Sequence, residues 1–329
     1  MENSIPTTTK VVKVFKSGEV AEIKEEPLKP LNEGQVLVKV AYAAFNIQDC
    51  LVLSQVYPPK SAFPMGLGFE GSGTILQVGP KCLEEFKIGE KVAFCLKENG
   101  TWSEYLVVDQ ASCFLIDEKI PLEKAACMFL IPGTVVSMIE EAEDDGNQAI
   151  AHTAGATVFG KMVNRVFKLK KIKTVNLISN EDEKEILLES GANYVLNTKQ
   201  STFRADFKKT VLAESVTRFY DRSMSKLIND LLILMPPMST TSFYGNVNES
   251  PESINEMRNI GDYTVTAIFL NKTREEKAEI VKFIQSQLVT TMAYEIEKVF
   301  KFTDFMEAYK YYKETRLAGR VVLSFSEQN

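Results

Sequence analysis

Histidine is almost absent from this chain, which contains a single one, His152, in 329 residues. Serine–histidine catalysis and histidine-rich zinc or iron sites would all have to rest on this one residue, at the end of an apolar stretch. A structural histidine is the favoured interpretation and a catalytic one is the alternative. Chemistry must then come from tyrosine, carboxylate or lysine side chains, or from a cofactor.

Cysteine is scarce and scattered. No pair has the spacing of metal ligands among the five positions, Cys50, Cys82, Cys95, Cys113 and Cys127. An odd number of widely spread cysteines predicts free thiols in a reducing compartment.

Long apolar runs and basic clusters are also missing. No hydrophobic stretch approaches the roughly 20 residues of a membrane span. The net charge of −6, without an evident basic face, disfavours nucleic acid as a partner. The first arginine is Arg165, so neither an arginine-rich presequence nor a secretory signal is visible, and cytosol or an uncleaved import signal is expected.

What the chain does contain is ordinary for a globular enzyme. Hydrophobic residues make up 45% and charged residues 25% of it. A length of 329 residues is most simply divided between two domains.

A β-turn-α-β unit spans Gln148 to Asn180. An apolar strand at Ala149–His152 leads into a turn of small residues, Thr153–Gly160, and a second apolar strand follows at Thr174–Ile178. The intervening segment has apolar residues at helical spacing, namely Met162, Val163, Val166, Phe167 and Leu169. Small residues let the backbone approach a pyrophosphate at the helix N-terminus. The glycine fingerprint is incomplete, so a plain βαβ unit is the alternative to a nucleotide site.

The two halves of the chain have different patterns. Up to about Lys124, short alternating strands are punctuated by glycines, which predicts a β domain. Beyond it, strands and helices alternate, which predicts a parallel sheet covered on both faces. We therefore predict an α/β protein with a β-rich domain from residues 1–124 and 290–329 and a doubly wound nucleotide-binding domain from residues 125–289.

Several motifs, in order along the chain, resemble those of the zinc-free quinone oxidoreductase and 2-enoyl thioester reductase branch of the medium-chain dehydrogenase/reductase superfamily. They are Asn46-Ile47-Gln48-Asp49, Gln55-Val56-Tyr57-Pro58, Gly68-Phe69-Glu70-Gly71-Ser72-Gly73, Gly100-Thr101-Trp102-Ser103-Glu104-Tyr105, the turn from His152 to Met162, Gly191-Ala192-Asn193-Tyr194 and Gly319-Arg320-Val321-Val322. The resemblance implies a GroES-like β domain and a Rossmann cofactor domain. No zinc is expected, because Phe69 stands where zinc-dependent relatives have a histidine and four closely spaced cysteines are absent.

The same resemblance implies an activity. Hydride would pass from NADPH, or from NADH, to the β-carbon of an unsaturated thioester, or to an enone or quinone. Tyr57 would donate a proton or support the enolate, and Asn46 would hold the carbonyl region. Asp49 and Trp102 are assigned to the substrate cleft, although a lone tryptophan is equally expected in a core.

Cofactor contacts follow from the resemblance as well; they are Thr134, Gly155, Ala156, Thr157, Phe159, Gly160, Ser179, Asn180, Arg222 and Arg320. The chain departs from the pattern at two of these places. After the second strand it has the acidic run Glu181–Glu183 instead of arginines that clamp a 2′-phosphate. These acids either repel phosphate and favour NADH, or begin a helix capped by Asn180. Arg222 replaces a small residue and either assists phosphate binding or fills the pocket.

Two functions from different classes stay open. The first is a reductase, and the second is a reductase-like fold without catalysis, serving as an accessory subunit of a larger complex, with a mitochondrial complex as one alternative. The β-branched segment Thr264–Phe269 predicts pairing with a second copy or a similar chain through a sheet edge. The resemblance favours mitochondria as the location.

Overall fold

The computed structural model describes residues 5–16, 19–54, 63–96, 100–222, 227–243, 272–315 and 319–325. Tyr57 and the segment Thr264–Phe269 lie outside these ranges, so the proton-donor role and the edge-pairing prediction stay predictions. None of the helices in the described ranges has the length and apolar character required to cross a bilayer.

The protein is a mixed α/β structure, as the sequence predicts. Its described strands are β1 Thr8–Val14, β2 Glu22–Pro27, β3 Gln35–Phe45, β4 Met65–Gly66, β5 Glu70–Val78, β6 Lys91–Cys95, β7 Tyr105–Asp109, β8 Cys113–Leu115, β9 Ala149–His152, β10 Lys173–Ile178, β11 Tyr194–Asn197, β12 Arg218–Asp221, β13 Thr240–Phe243, β14 Ile296–Lys301 and β15 Arg320–Ser324. Its described helices are α1 Ile47–Leu53, α2 Leu122–Ala125, α3 Leu130–Asp144, α4 Val158–Leu169, α5 Glu183–Glu189, α6 Phe203–Ala213, α7 Leu227–Leu232, α8 Arg274–Gln287 and α9 Phe305–Glu314.

The chain divides into two compact units. Unit 1 comprises Met1–Leu130, Lys272–Ser286 and Tyr294–Asn329, and unit 2 comprises Ile131–Asn271 and Gln287–Ala293. This grouping differs from the sequence-based boundaries chiefly at α8, which the sequence places in the cofactor domain. The reason lies in side-chain anchors: Arg274 Nη1 donates to the carbonyls of Gln110 and Cys113, and Gln285 Nε2 donates to that of Leu115.

Unit 1 is built from two sheets in its described part. The larger has the order β14-β15-β3-β5-β6-β8, with β7 also paired to β3, and the smaller has the order β2-β1-β4. Val36, Val38 and Val40 alternate along β3 into one apolar cluster with Ile75 and Phe94. A second cluster gathers around Phe45, Trp102 and Phe305.

Glycines shape the centre of the larger sheet. The glycine-dense stretch found in the sequence includes the start of β5, where Gly73 lies so close to β3 that a Cβ atom would come within 2.2 Å of the Lys39 carbonyl oxygen. Because no side chain fits there, the glycine is required by close packing of strands rather than by a turn.

Unit 2 contains a parallel sheet in the order β11-β10-β9-β12-β13. This is the strand order of a Rossmann fold, in which the direction of strand addition reverses beside β9. The core on one face of the sheet includes Val175, Phe207, Phe219 and Ile228. The carboxyl ends of β9, β10 and β12 therefore share one edge, which is where ligands bind in such sheets.

Candidate functional site

A buried polar cluster in unit 1 begins where β3 turns into α1. Asn46, at this junction, is 3% exposed, and Asp49 in the first turn of α1 is fully buried. The Asn46 backbone amide donates to Asp49 Oδ2 at 2.9 Å, and the Gly68 amide donates to Oδ1, also at 2.9 Å. Asp49 thus joins the start of α1 to the segment that precedes β5.

Gly68 is fixed by its surroundings. It has a φ of +87°, and a Cβ atom there would lie 2.2 Å from Thr101 Oγ1 and 2.3 Å from Trp102 Cδ1. The backbone amide that Asp49 accepts is therefore available only because residue 68 has no side chain.

Burial raises the pKa of Asp49 to about 7, because a carboxylate loses its hydration inside the protein. The two amide donors, from Asn46 and Gly68, act in the opposite direction, and the nearby Glu70 carboxylate adds to the rise. Asp49 is thus a buried acid whose pKa is raised towards neutral pH.

Arg320 and Glu70 form the charged centre of the cluster. Glu70 is fully buried and Arg320, the first residue of β15, is 5% exposed. Arg320 Nη2 donates to Glu70 Oε1 at 3.0 Å and to Asn46 Oδ1 at 2.7 Å. Glu70 Oε2 accepts the backbone amides of Phe129 and Leu130 at 2.9 and 3.0 Å. Burial raises the pKa of Glu70, while Arg320 and these amides act to lower it.

Only one end of the Asn46 side-chain amide has a hydrogen-bond partner. Its Oδ1 accepts from Arg320, but its Nδ2 has no hydrogen-bond partner among the described residues, although it is buried. The amide lies near enough to help lower the pKa of Glu70, yet it does not reach hydrogen-bond geometry. A buried N–H donor held in a fixed orientation can bind a carbonyl or enolate oxygen without first giving up another bond.

Two further residues assigned by sequence to the substrate cleft are placed in the interior. Trp102 is fully buried, packs on Phe45 with ring centroids 4.9 Å apart, and donates from Nε1 to the Ala44 carbonyl at 3.1 Å. Of the two interpretations of Trp102, the structure supports the core residue. Asp49 is equally buried, and its carboxylate contacts the backbone amides of Asn46 and Gly68. Arg320, assigned to the cofactor, lies in this cluster with Glu70.

The turn after β9 in unit 2 has a backbone conformation that depends on its glycines. Gly155 has a φ of +59°, and a Cβ on Gly160 would come within 2.0 Å of the Gly155 carbonyl oxygen. Thr157 caps α4, accepting the Gly160 amide at 3.2 Å and donating to the Ala154 carbonyl at 2.9 Å. These residues fit a dinucleotide because the glycines allow close backbone approach at the positive end of a twelve-residue helix.

The turn is connected to the end of β12. Thr153 Oγ1 donates to Asp221 Oδ1 at 2.6 Å and accepts the Arg222 amide at 2.8 Å. Arg222 is therefore placed at the same sheet edge as the turn. Ser179, also at this edge, is exposed, and Asn180 is half-buried. Thr134 in α3 and Phe159 in α4 are both buried.

Glu183, which was predicted either to repel a phosphate or to form part of a helix start, lies against this turn. Glu183 Oε2 accepts the Ala156 amide at 2.8 Å. Asn180 Oδ1 accepts the Asp182 amide at 3.2 Å in the turn that precedes α5. The N-cap of α5 is Asp182, without a side-chain hydrogen bond, so the predicted cap by Asn180 is wrong. The acidic run was the available signal, and its contact with a turn 27 residues away depends on tertiary structure.

His152 has a structural environment. It is fully buried, its Nδ1 accepts the Ala154 amide at 3.2 Å, and its Nε2 lies 3.5 Å from Asn164 Oδ1. Burial lowers the pKa of His152 to about 4. The ring is therefore neutral near pH 7, with Nε2–H directed at Asn164, and it belongs to a polar core with Thr174 and Asn176.

Metal ligation has no support in the described part of the chain, where no three His, Cys, Asp or Glu side chains are grouped around a common point. The expectation that the protein needs no zinc rests on Phe69 and the cysteine spacing and stays a prediction.

Comparison with known proteins agrees with this architecture. A family model described as the alcohol dehydrogenase GroES-like domain matches residues 32–118. The mitochondrial enoyl-acyl-carrier-protein reductase of Arabidopsis thaliana is 28% identical over 179 residues, which are 53% of this chain and 48% of that protein. The chain spans about half the length of the enoyl reductases that it matches.

Quinone reductases are similar over more of the chain. A protein of Schizosaccharomyces pombe named "probable quinone oxidoreductase" is 26% identical over 70% of this chain and 69% of its own length. The structure of Escherichia coli quinone oxidoreductase complexed with NADPH superimposes with a TM-score of 0.76 and 18% identity, covering 96% of this chain and 99% of that one. The resemblance to enoyl reductases and quinone oxidoreductases, and the combination of a GroES-like domain with a Rossmann-type sheet that it implied, are confirmed.

Proposed function

We propose that this chain, which has the fold of the zinc-free medium-chain quinone reductases, is an NADPH-dependent oxidoreductase that reduces a double bond conjugated to a carbonyl group. The substrate class is a 2-enoyl thioester, with an enone or quinone as the related alternative. The names of the similar proteins, enoyl reductases and quinone oxidoreductases, support this proposal.

One observation carries the proposal, namely the unpaired Nδ2 of Asn46. A purely structural asparagine at 3% exposure would be expected to satisfy both ends of its amide. Here Arg320 fixes Oδ1, and Nδ2 is left as a donor without a described partner. A substrate carbonyl that becomes an enolate oxygen would accept this donor more strongly as its negative charge grows, which is the differential binding that catalysis requires.

The buried charges around Asn46 support its role as a donor. Arg320 is neutralised by Glu70, so the pair orients Asn46 without placing a net charge beside it. Asp49 holds the Asn46 backbone from the other side. Asn46 is thereby held at backbone and side chain, which reduces the reorganisation needed when charge develops.

Unit 2 would hold the cofactor at the turn from Thr153 to Thr157, with Gly155 and Gly160 allowing its diphosphate to approach. NADPH, or NADH, supplies a hydride when bound. Thr157 would keep the first turn of α4 ordered, and Arg222 would contribute positive charge at the same edge. Tyr57 would donate the proton or hydrogen bond that completes the reduction, which the sequence motif alone supports.

The test is reduction of a trans-2-enoyl thioester and of a 1,4-quinone, followed by NADPH absorbance. Asn46→Asp preserves the acceptor for Arg320 but removes the donor, and it should lower kcat about 100-fold. Asn32→Asp is the matched control, because it makes the same change at an exposed position. A wild-type kcat in Asn46→Asp would contradict the role of Asn46, and Tyr57→Phe tests the proton donor in the same assay.

A second function is favoured by a specific observation. The Glu183 carboxylate occupies an amide of the cofactor turn, which would suit a reductase-like subunit that has lost its cofactor and serves within a larger assembly. Titration calorimetry separates the two proposals. Binding of NADPH or NADH in the micromolar range supports the reductase, and no binding of either at millimolar concentration supports the accessory subunit.

Location is proposed from the similar proteins, and assembly is proposed from the sequence. Mitochondrial residence is supported by the mitochondrial enoyl reductases among the similar proteins, and cell fractionation with a tagged full chain tests it. Homodimer formation, or pairing with a similar chain, is proposed through Thr264–Phe269, and a monomer by light scattering at micromolar concentration would contradict it.

A further inference from the structure

A side-chain carboxylate lies where the proposed cofactor turn would meet an anion. Glu183, the first residue of α5, directs Oε2 to the Ala156 amide at 2.8 Å. Ala156 directly precedes Thr157, the cap of α4. Glu183 thus accepts one of the amides at the positive end of α4, which are the groups that receive a diphosphate in folds of this kind.

Gly155 makes this contact sterically feasible. A Cβ atom at residue 155 would lie 2.5 Å from Glu183 Oε2. The carboxylate therefore fills the space that the missing side chain leaves open. That space is also the one that gives a ligand phosphate access to the backbone, so carboxylate and phosphate compete for the same volume as well as for the same amide.

The acidic residues beside Glu183 add negative charge next to this turn. Glu183 follows Glu181 and Asp182. Glu181 Oε2 accepts a hydrogen bond from Asn197 Nδ2 at 2.7 Å. A diphosphate that arrived while Glu183 remained at Ala156 would be repelled at short range, because like charges at a site of this kind oppose each other.

We propose that Glu183 is an internal anion that closes the cofactor turn, and that a dinucleotide binds only when its diphosphate displaces this carboxylate from the Ala156 amide. Glu183 accordingly sets the affinity of the chain for NADPH and NADH alike, because both carry the same diphosphate. This inference rests on the proposed function, since it concerns the cofactor of that reaction.

The test compares Glu183→Ala with Glu185→Ala in the full chain. Both variants lose one negative charge from α5, but Glu185 is exposed and only Glu183 contacts Ala156. Calorimetric titration should show that Glu183→Ala binds NADPH and NADH at least about ten-fold more tightly than the wild type, which is the strength of one charge-assisted hydrogen bond. Glu185→Ala should bind within about two-fold of the wild type.

A second readout needs no cofactor. Hydrogen exchange of the Ala156 amide, followed by NMR on the unliganded proteins, should be faster in Glu183→Ala than in the wild type or in Glu185→Ala, because the amide loses its acceptor. Unchanged exchange would show that the carboxylate does not hold this amide in solution and would overturn the inference.

The outcomes distinguish this inference from the proposed function. Equal dinucleotide affinity in the wild type and Glu183→Ala would overturn the inference and leave the reductase standing. If none of the proteins binds either dinucleotide at millimolar concentration, the reductase is contradicted, and titration with inorganic pyrophosphate decides the inference. A shift of the Ala156 resonance in Glu183→Ala but not in the wild type would then support it, and the same response in both would overturn it.

Discussion

Replacing Asp49 by asparagine should change how the stability of unit 1 depends on pH. Burial raises the pKa of Asp49 from an ordinary value of 3.8 to about 7. A group with a raised pKa contributes stability below its unfolded-state pKa, and this contribution is lost as pH rises through the folded-state pKa. The rise of about three pH units corresponds to about 4 kcal/mol, of which about 3 kcal/mol falls between pH 5 and 8.

The assay uses the only tryptophan in the chain as its probe. Trp102 is fully buried in unit 1, and it lies against Gly68, whose amide binds Asp49. Urea unfolding followed by Trp102 fluorescence therefore reports on the part of the protein that contains the titrating group. The difference in unfolding free energy between the wild type and Asp49→Asn is measured at pH 5, 6, 7 and 8.

The difference in unfolding free energy between the wild type and Asp49→Asn is expected to change continuously as the pH rises. Relative to Asp49→Asn, the unfolding free energy of the wild type should fall by about 1.3 kcal/mol between pH 5 and 6, by about 1 kcal/mol between pH 6 and 7, and by less above pH 7. The variant pays a separate cost of about 1–3 kcal/mol, because its amide nitrogen faces a backbone donor, but this cost does not vary with pH. A difference that stays constant within 1 kcal/mol across the range would refute the raised pKa.

Three further substitutions test the packing of the two sites. Arg320→Met should lower the unfolding free energy by about 3–5 kcal/mol in the Trp102 assay, because it leaves a charged carboxylate buried without its partner; a loss below 1 kcal/mol would contradict the ion pair. Gly160→Ala should lower the melting temperature measured by circular dichroism and weaken cofactor binding, since its Cβ would lie 2.0 Å from a backbone carbonyl oxygen; wild-type values for both would contradict the close approach. Thr157→Ala should lower the unfolding free energy by about 1 kcal/mol, because α4 loses its N-terminal cap. Thr202→Ala, at a cap without a side-chain hydrogen bond, should leave the unfolding free energy unchanged. Equal effects of the two substitutions would refute the capping role.

Regular elements were predictable where local pattern and tertiary environment agree. The strands at Ala149–His152 and Thr174–Ile178 match β9 and β10 within one residue, because a buried parallel strand requires a continuous apolar run. The helix α1 was not predicted. Its residues Ile47–Leu53 directly follow β3, and its start is fixed by the Asp49 contact with Asn46 rather than by a strong helical pattern.

The sequence identified residues of the candidate sites, but not the hydrogen bonds that join them. Motif resemblance located Asn46 and Arg320 and assigned them to different roles, although in the structure they share a hydrogen bond across 274 positions of sequence. Glu70 was quoted only as part of a glycine motif. Its burial and its pairing with Arg320 depend on the antiparallel register of β15 against β3, which no local pattern specifies.

The most direct test of the reductase is transfer of deuterium from NADPH labelled at C4 of the nicotinamide ring to a trans-2-enoyl thioester, followed by mass spectrometry of the product. The account predicts one deuterium at the β-carbon of the saturated thioester, with transfer reduced about 100-fold in Asn46→Asp. A saturated product without deuterium from either face of the labelled ring, or no product at millimolar NADPH and substrate, would contradict it.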